Sequence, residues 1–498
     1  MTDSKAGTEP GDDNALSLRG DIFQLGRKSM AYVVGHLGTR AISFLLLPLY
    51  TNALSPADYG VLSLAFTFAA FSLVIFHFGI NTALLKFYTG EPPHRQREVF
   101  STVYFTQLGV IAVLASAFLL GRRFLAPLLL GVNRPDWMVI LIAIIVMDTL
   151  WAHPMIVLRA RGRAVGYAGL SLLNVATIMT GNIILVAVFD LGITGALLSN
   201  LMASTLLFVV NLPTVWKQLS LAAFSKGTLG QLLRFGLPFL PAGLFTMIME
   251  LSDRYLLRWL TDMETVGLYS AGYKLGLFML LLIGGFSLGW QPFFLQRGKA
   301  PDAPVVFARI ATYLLAGLGW VLLTISAWID LLVRMPIGPI TIFGPEYWSA
   351  TGIVPVVLLA YYFYAMYVLQ LPGIMLTQRT AWVMLFRGSG AVANVGLNLL
   401  LIPWYGAMGA AWATCLGFAL MAALTFTVNH RHYPVPYEWG RLARLAALLL
   451  TGFLVLIYWP AGLGRNLALT VWVPLGLIAS RAMTPGEWGQ IKSLVRSR

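Results

Sequence analysis

The stretch that decides the fold runs from Glu250 to Gly285 and reads ELSDRYLLRWLTDMETVGLYSAGYKLGLFMLLLIGG. Two long apolar runs flank a polar turn at Leu260 to Thr265, which predicts two helices joined as a hairpin. Glu250 and Lys274 each lie about 12 residues back from that turn, or roughly 18 Å at helical rise. The two opposite charges therefore share one depth, and their spacing predicts either an ion pair across the hairpin or two separate cavity residues.

The composition places this hairpin in a membrane. Apolar residues make up 58% of the chain and charged residues only 11%. Apolar runs of about 20 residues, each long enough to cross hydrocarbon, recur along most of the chain. The alternating segments of about 10 residues that are typical of a transmembrane barrel are not found. We therefore expect an all-α polytopic membrane protein, and the net charge of +14 indicates positive cytoplasmic loops rather than nucleic-acid binding.

The apolar runs predict about fourteen transmembrane helices. They lie near 29–53, 60–85, 99–120, 136–158, 166–189, 193–213, 233–259, 266–290, 306–329, 350–371, 380–402, 407–429, 440–459 and 466–483. Lys and Arg concentrate in alternate connections, so the positive-inside rule places both termini in the cytoplasm. Arg254 and Arg258 are among the exceptions, and we interpret them as lying at the outer end of a helix.

Two motifs occur twice. LSPADYGVLSL (54–64) and LTDMETVGLYSA (260–271) both close a hairpin, with Gly60 matching Gly267. LGITGALLSN (191–200) and YGAMGAAWAT (405–414) both carry two glycines three residues apart. The offsets of 207 and 214 residues predict two parallel six-helix repeats, related by a pseudo-twofold axis along the membrane normal. Repeats of this kind build transporters with a site between the halves.

These repeats define the expected domains. They are a disordered cytoplasmic tail at 1–20, an N-terminal six-helix lobe at 21–225, a C-terminal six-helix lobe at 226–433, and two extra helices with a cytoplasmic tail at 434–498.

Three segments carry a family resemblance. DRYLLRWLTDMETVGLYSAGYKLG (253–276), LSPADYG (54–60) and IFGPEYWSA (342–350) resemble segments of the polysaccharide exporters and O-antigen flippases. That family belongs to the multidrug/oligosaccharidyl-lipid/polysaccharide exporter superfamily. The resemblance implies two six-helix lobes around a central cavity and two additional C-terminal helices.

The resemblance also implies a function. It implies a flippase of the bacterial inner membrane that moves an undecaprenyl-diphosphate-linked oligosaccharide from the cytoplasmic to the periplasmic leaflet by alternating access. The expected partners are this lipid-linked substrate, membrane lipids, H⁺ or Na⁺ as a coupling ion, and polysaccharide polymerase machinery.

Two other functions stay open. An ion-coupled multidrug or cation antiporter has the same superfamily fold and should favour acidic cavity residues. A membrane glycan polymerase or ligase shares the apolar composition, but the resemblance implies a large outer loop for that chemistry, and the outer connections here are short. The sequence contains no HExxH, CxxC pair or Walker loop. We therefore expect a transporter without cofactor or metal rather than an enzyme.

His36 and Arg40 are the first candidates for substrate binding. Their i, i+4 spacing places them on one face of the first helix. Arg40 lies about halfway across the membrane, where an ionisable group is costly and favours a functional role. A guanidinium matches the oxygens of a diphosphate with bidentate geometry. The alternatives are a structural pair between Arg40 and Asp148 in the fourth helix, or an Arg40 side chain that snorkels towards the membrane surface.

Other charged residues within the spans complete the candidate set. The predicted cavity residues also include Lys274, Glu250 and Asp148, and the predicted coupling-ion positions are Glu250, Asp148 and Asp253. His77 and His153 also lie within spans. Their sequence context favours interior histidines with satisfied hydrogen bonds over proton carriers.

Overall fold

The computed structural model describes residues 44–298, 300–377, 379 and 381–479. This part of the chain is almost entirely helical and contains one short antiparallel hairpin, of β1 (Pro336–Ile337) and β2 (Ile340–Thr341). The all-α class predicted from the apolar runs is therefore confirmed. His36 and Arg40, like the predicted tail at 1–20, lie outside the described residues.

Short turns join the α-helices in the first half of the described chain. In chain order they are α1 (Leu47–Ala53), α2 (Pro56–His77), α3 (Ile80–Tyr88), α4 (Pro93–Leu125), α5 (Pro135–Ala160), α6 (Ala164–Asn182) and α7 (Gly192–Gln218). π-helical segments extend α4 through Ala126–Leu130 and α6 through Ile183–Val188. A 3-10 turn at Leu221–Ala223 leads into the second half.

The second half repeats this pattern and adds two helices. In chain order the α-helices are α8 (Lys226–Gly236), α9 (Phe239–Leu260), α10 (Met263–Arg297), α11 (Ala303–Val333), α12 (Val354–Leu369), α13 (Leu371–Leu376), α14 (Ala381–His432), α15 (Trp439–Tyr458) and α16 (Leu463–Ala479). A 3-10 segment, Pro345–Ile353, precedes α12.

The described chain has 11 helical segments long and apolar enough to cross a membrane. One of them, α14, contains two helices because Gly406 interrupts it. The shorter apolar α16 and the described end of the first span, α1, complete the fourteen predicted spans.

Two predicted spans are each broken in two. The second span ends at His77 because Phe78 and Gly79 adopt left-handed φ angles of 34° and 80°, after which α3 begins. The seventh is divided between α8 and α9 at Pro238, whose backbone has no N–H to donate. Hydropathy misses both breaks because the residues around them remain apolar.

The first repeated motif appears in the structure as two matching helix starts. The Ser55 hydroxyl caps α2 by accepting the Asp58 backbone N–H at 3.1 Å. The Asp262 carboxylate caps α10 by accepting the Thr265 backbone N–H at 2.8 Å. Each cap satisfies a backbone donor that the first turn of a helix leaves without a partner. The two copies of the motif therefore both cap the start of a helix.

The second repeated motif also has one conformation in both copies. Gly192 and Gly406 have φ angles of 53° and 52°, in the left-handed region that glycine adopts without strain. Three residues later, a Cβ on Gly195 or Gly409 would lie only 2.8 Å or 2.4 Å from a carbonyl oxygen of the preceding helix. The first glycine makes the turn and the second allows the two helices to pack closely.

The two lobes touch at both ends of α2. At one end, which we call the hairpin end, a Cβ on Gly60 would lie 2.3 Å from the carbonyl oxygen of Met263, and a Cβ on Gly267 would lie 1.8 Å from that of Pro56. At the opposite end, a Cβ on Gly79 would lie 2.0 Å from the carbonyl oxygen of Gly236. Since a real Cβ is not tolerated so close to backbone, glycine is required at both contacts.

The two C-terminal helices pack on the C-terminal lobe through α11. The Trp328 indole donates a hydrogen bond of 2.8 Å to the Thr470 hydroxyl of α16. Gly452 of α15 lies against Leu323, whose Cδ1 would be 2.3 Å from a Cβ at that glycine. The additional helices therefore extend one lobe and leave the space between the lobes free.

Candidate substrate cavity between the lobes

A cavity of about 320 Å³ lies between the lobes. Its walls come from α1, α2, α6 and α7 on one side and from α9 and α10 on the other. The polar side chains that line it are Tyr50, Tyr59, Ser63, Thr67, Asn200, Arg254, Ser270 and Lys274. Two of these are cations, and the described lining contains no carboxylate.

Lys274 reaches across the cavity towards the N-terminal lobe. Its Nζ lies 5.3 Å from the centre of the Tyr59 ring and 6.0 Å from that of Tyr50. The hydroxyl of Tyr50 donates to Asn182 Oδ1 at 2.7 Å, which fixes the ring. Such cation–π contacts stabilise an ammonium by about 0.5–2 kcal/mol. They do not cancel its charge, so Lys274 leaves a net positive charge on the cavity.

Arg254 forms a buried ion pair within the hairpin of residues 250–285. Its Nη1 lies 2.7 Å from Oδ1 of the neighbouring Asp253, and the two side chains are only 6% and 1% exposed. The same nitrogen donates to the carbonyl oxygen of Glu250, at 2.7 Å. Breaking a buried pair of this kind costs about 3–5 kcal/mol, because the remaining charge is left uncompensated. The guanidinium is therefore held rigidly in the cavity wall.

Three tyrosines complete the buried network behind the cavity. The hydroxyl of Tyr269 donates to the second carboxylate oxygen of Asp253. The hydroxyls of Tyr273 and Tyr361 lie 3.0 Å apart, and the Arg254 guanidinium lies 4.7 Å from the centre of the Tyr273 ring. These contacts join α9, α10 and α12 into one rigid wall.

Glu250 and Lys274 do not form the pair across the hairpin that their depth predicts. Lys274 faces the tyrosines of the N-terminal lobe, whereas Glu250 interacts electrostatically with Tyr361 and Arg387 inside the C-terminal lobe. Equal depth along two helices does not by itself make two side chains partners, and Lys274 lies over the rings of the other lobe instead. The prediction of that pair was wrong, although Lys274 does line the cavity.

Asp148 lies inside the N-terminal lobe, between α5 and α7. Its Oδ1 accepts hydrogen bonds from the Ser204 hydroxyl at 2.6 Å and from the Trp151 indole at 2.9 Å. Asp148 is not among the described residues of the cavity wall. Its predicted pair with Arg40 involves a residue outside the described part of the chain and stays a prediction.

The sequence analysis missed the role of Arg254. It assigned this residue to an outer helix end, but α9 continues to Leu260 and leaves Arg254 only 5% exposed, in the cavity wall. A signal was present, because adjacent opposite charges inside an apolar run indicate a buried pair. Tyr50 and Tyr59 had no comparable signal, since their position over Lys274 depends on how the lobes meet.

A second cavity of about 670 Å³ lies between the C-terminal lobe and α15. Its walls come from α11, α12, α14 and α15 and are mostly Leu, Ala and aromatic side chains, including Tyr362 and Phe363. No charged side chain is among its described lining residues. The charged part of a ligand therefore has its candidate site in the smaller cavity between the lobes.

Residues 25–296 match the sequence family described as polysaccharide biosynthesis protein, which is more than half of the chain. The chain belongs to this polysaccharide biosynthesis protein family. The resemblance that the sequence motifs indicate is thereby confirmed. The matched region contains both copies of the hairpin motif and the two cavity cations, Arg254 and Lys274. No curated protein sequence matches the chain.

Solved structures of transporters share the fold of this chain. The lipid II flippase MurJ, in an inward closed conformation, gives a TM-score of 0.72 at 14% identity, over 91% of this chain and 97% of that one. An inward-facing multidrug resistance MATE family transporter of the MOP superfamily gives 0.65 at 13% identity, over 84% and 99%. An outward-facing structure of that kind gives 0.60 at 13% identity, over 82% and 95%. The chain is therefore a multi-pass membrane protein with the fold of flippases and transporters.

Proposed function

We propose that the protein moves an undecaprenyl-diphosphate-linked oligosaccharide from the cytoplasmic to the periplasmic leaflet of a bacterial inner membrane. The observation that carries the proposal is the pair of cations, Arg254 and Lys274, in a cavity between two lobes. Family membership supports a role in polysaccharide biosynthesis. The fold shared with the lipid II flippase MurJ and MATE transporters supports transport by alternating access.

The charges of the cavity suit the head group of such a lipid. Asp253 neutralises much of the Arg254 charge. Lys274 instead lies over the rings of Tyr50 and Tyr59, which do not neutralise its charge. A diphosphate cannot cross hydrocarbon unaided because burying its charge costs many kcal/mol. An ammonium in a cavity shielded from lipid offsets that cost, since charge-assisted hydrogen bonds to phosphate are among the strong ones.

The same charges disfavour a cation antiporter. A cationic drug would meet the charge of Lys274, and no carboxylate is among the described lining residues to balance it. Like charges at close range in a medium of low dielectric repel strongly. The cavity therefore favours an anionic substrate over an organic cation.

Lys274 provides the direct test. The full-length protein would be reconstituted in vesicles with an undecaprenyl-diphosphate-linked oligosaccharide, and transfer between leaflets would be followed by accessibility of the glycan to an added glycosidase. We expect Lys274→Ala to slow transfer by about tenfold or more, and Lys274→Arg to retain most of it. Lys86→Ala is the matched control, because Lys86 is exposed and packs over the Phe235 ring outside this cavity. Equal transfer in wild type and Lys274→Ala would contradict the proposal.

The direction of transport requires the proposed orientation in the membrane. Reporter fusions at Arg163, Arg297 and Arg441 should report cytoplasm, and fusions at Asp58 and Thr265 should report periplasm. If either group reported the opposite side, the two-repeat topology would have to be abandoned.

A further inference from the structure

Helices α2 and α10 face each other through residues at matching positions of the two repeats. Next to the glycine contact of the hairpin end, the Ser63 hydroxyl donates to the Ser270 hydroxyl at 2.7 Å. Thr67 and Lys274 follow one helical turn further along, and all four side chains line the cavity between the lobes. The members of each pair are 207 residues apart in the chain. The serine pair therefore forms the end of the cavity that lies against the contact between the lobes.

The ammonium of Lys274 is directed back towards the serine pair. Side chains on a helix lean towards its N-terminus, and α10 begins at the hairpin end. The position of Nζ agrees with this direction, since it lies 5.3 Å from the ring centre of Tyr59, a residue in the first turn of α2. A ligand that contacts this ammonium therefore lies on the serine side of the cavity.

The groups at this end of the cavity offer more hydrogen-bond donors than acceptors. The Thr67 hydroxyl is already used, because it donates to the carbonyl oxygen of Ser63 at 2.8 Å. The serine pair, however, uses only one of its two O–H groups on itself, and the three N–H bonds of Lys274 lie over aromatic rings. The Tyr59 hydroxyl has no hydrogen-bond partner within the described chain. Since no carboxylate is among the described lining residues, these donors favour a ligand rich in acceptor oxygens.

A phosphoryl group matches this donor set. Its oxygens carry negative charge and only accept hydrogen bonds, so one group can accept from an ammonium and from two hydroxyls at once. A sugar hydroxyl donates as well as accepts and would leave part of the donor surplus unused. Each serine hydroxyl has a single hydrogen, so Ser63 and Ser270 can both donate to a ligand only if their mutual hydrogen bond breaks. Phosphoryl binding at this point therefore removes a bond between the lobes.

We propose that Ser63 and Ser270 bind the phosphoryl oxygens of the ligand together with Lys274, and that this exchange of hydrogen bonds loosens the hairpin end. Ser63 turns its O–H from Ser270 to a phosphoryl oxygen, and Ser270 donates its own. A ligand shifts an equilibrium towards the state that it binds better, here the state with the serines apart. In the proposed orientation this end faces the periplasm, to which the substrate is delivered. The inference rests on the proposed transport function and identifies the part of the head group that the cavity recognises.

Binding of farnesyl diphosphate, a short polyprenyl diphosphate without sugar, tests the serine assignment. Its affinity for the full-length protein in detergent would be measured by isothermal titration calorimetry, with farnesol as the same chain without phosphate. We expect Ser63→Ala/Ser270→Ala to weaken binding by about tenfold or more. Ser63→Thr keeps a hydroxyl and should bind nearly as the wild type does. Ser287→Ala is the matched control, because this serine of α10 donates to the carbonyl oxygen of Ile283 and is not among the described lining residues.

Spin labels at the hairpin end test the effect on the lobes. They would be attached to cysteines at the exposed positions Asp58 and Glu264, in a chain where the buried single cysteine is replaced by Cys415→Ala. Pulsed electron paramagnetic resonance should show a longer distance when farnesyl diphosphate is added to the protein with both serines, and no change with farnesol. Ser63→Ala/Ser270→Ala should show no lengthening even when it is saturated with the diphosphate.

Two results would overturn the inference. One is wild-type affinity for farnesyl diphosphate in the double serine variant. The other is a label distance that the diphosphate leaves unchanged in the protein with both serines. If the double variant is not recovered as a monodisperse protein, Ser63→Ala alone, at a half-buried position, decides the affinity. Loss of affinity in Lys274→Ala but not in the serine variant leaves the proposed transport function standing, and the vesicle assay decides that function by itself.

Discussion

The hydroxyl of Ser63 donates to the hydroxyl of Ser270 at 2.7 Å, and the two residues are 207 positions apart in the sequence. Gly60 and Gly267, three positions earlier in each helix, have the same offset and touch each other. Repeat-equivalent residues can meet in this way only where the pseudo-twofold axis passes between them. The axis therefore runs between α2 and α10 and enters the cavity at Ser63 and Ser270, which both line it.

Closure of the hairpin end should depend on Gly267. A Cβ at this position would lie 1.8 Å from the carbonyl oxygen of Pro56, so Gly267→Ala must push α2 and α10 apart. Overpacking of this kind costs typically about 1–3 kcal/mol. We expect a lower unfolding temperature and a longer distance between spin labels at the exposed Asp58 and Glu264. Gly284→Ala, on the same helix with nothing within 4 Å, should change neither, and an equal effect of both substitutions would refute the assignment.

The Asp253 and Arg254 pair should stabilise the C-terminal lobe. Asp253→Asn leaves a buried guanidinium without its carboxylate, at a cost of about 3–5 kcal/mol. The double variant Asp253→Asn/Arg254→Gln should recover stability, measured as membrane abundance and thermal unfolding. Asp136→Asn is the control, because its pair with Arg134 is half exposed and such pairs contribute about 0–1 kcal/mol. Additive effects in the double variant would show that the two side chains act independently.

Exchange of the charges at Glu250 and Lys274 should not restore the protein. The structure gives Lys274 the rings of Tyr59 and Tyr50 as partners. The double reversal Glu250→Lys/Lys274→Glu should therefore accumulate no better than the worse single reversal. Recovery of abundance above both single variants, measured by immunoblot of membranes, would instead support a direct pair.

Gly192 and Gly406 should respond alike to substitution. Each has a left-handed φ near 50°, which costs an alanine roughly 1–2 kcal/mol. Gly192→Ala and Gly406→Ala should lower thermal stability by similar amounts. Gly396→Ala, at a helical position with nothing within 4 Å, should be neutral or slightly stabilising. Unequal losses at the two turns would mean that the repeats are no longer equivalent there.

Arg40 remains a predicted contact for the anionic part of the substrate. Arg40→Lys keeps the charge without the bidentate fork and should retain partial transport, whereas Arg40→Ala should lose most of it at normal abundance. The competing account is a structural pair with Asp148. It predicts low abundance of Arg40→Ala and rescue by Asp148→Ala, although Ser204 and Trp151 already bind that carboxylate.

The sequence by itself determined the class of fold, its repeat and the family. Hydrocarbon requires long apolar helices, so composition and run length are sufficient to predict the number of spans. The repeated motifs are local, because Ser55 and Asp262 cap their own helices and Gly192 and Gly406 make their own turns. Each of these signals acts within a few residues, which is why it can be read without a structure.

Only the tertiary structure decided which charges meet. Lys274 faces tyrosines of the other lobe, and Arg254 forms an ion pair with Asp253, its neighbour in the sequence. His77 on one helix contacts His153 on another. The break after His77 is also invisible to hydropathy, since Phe78 is as apolar as the helix it ends. The physical reason is that partners in space are set by helical phase and by the packing of lobes far apart in the chain. The depth of a residue along a single helix predicts neither the helical phase nor the packing of the lobes.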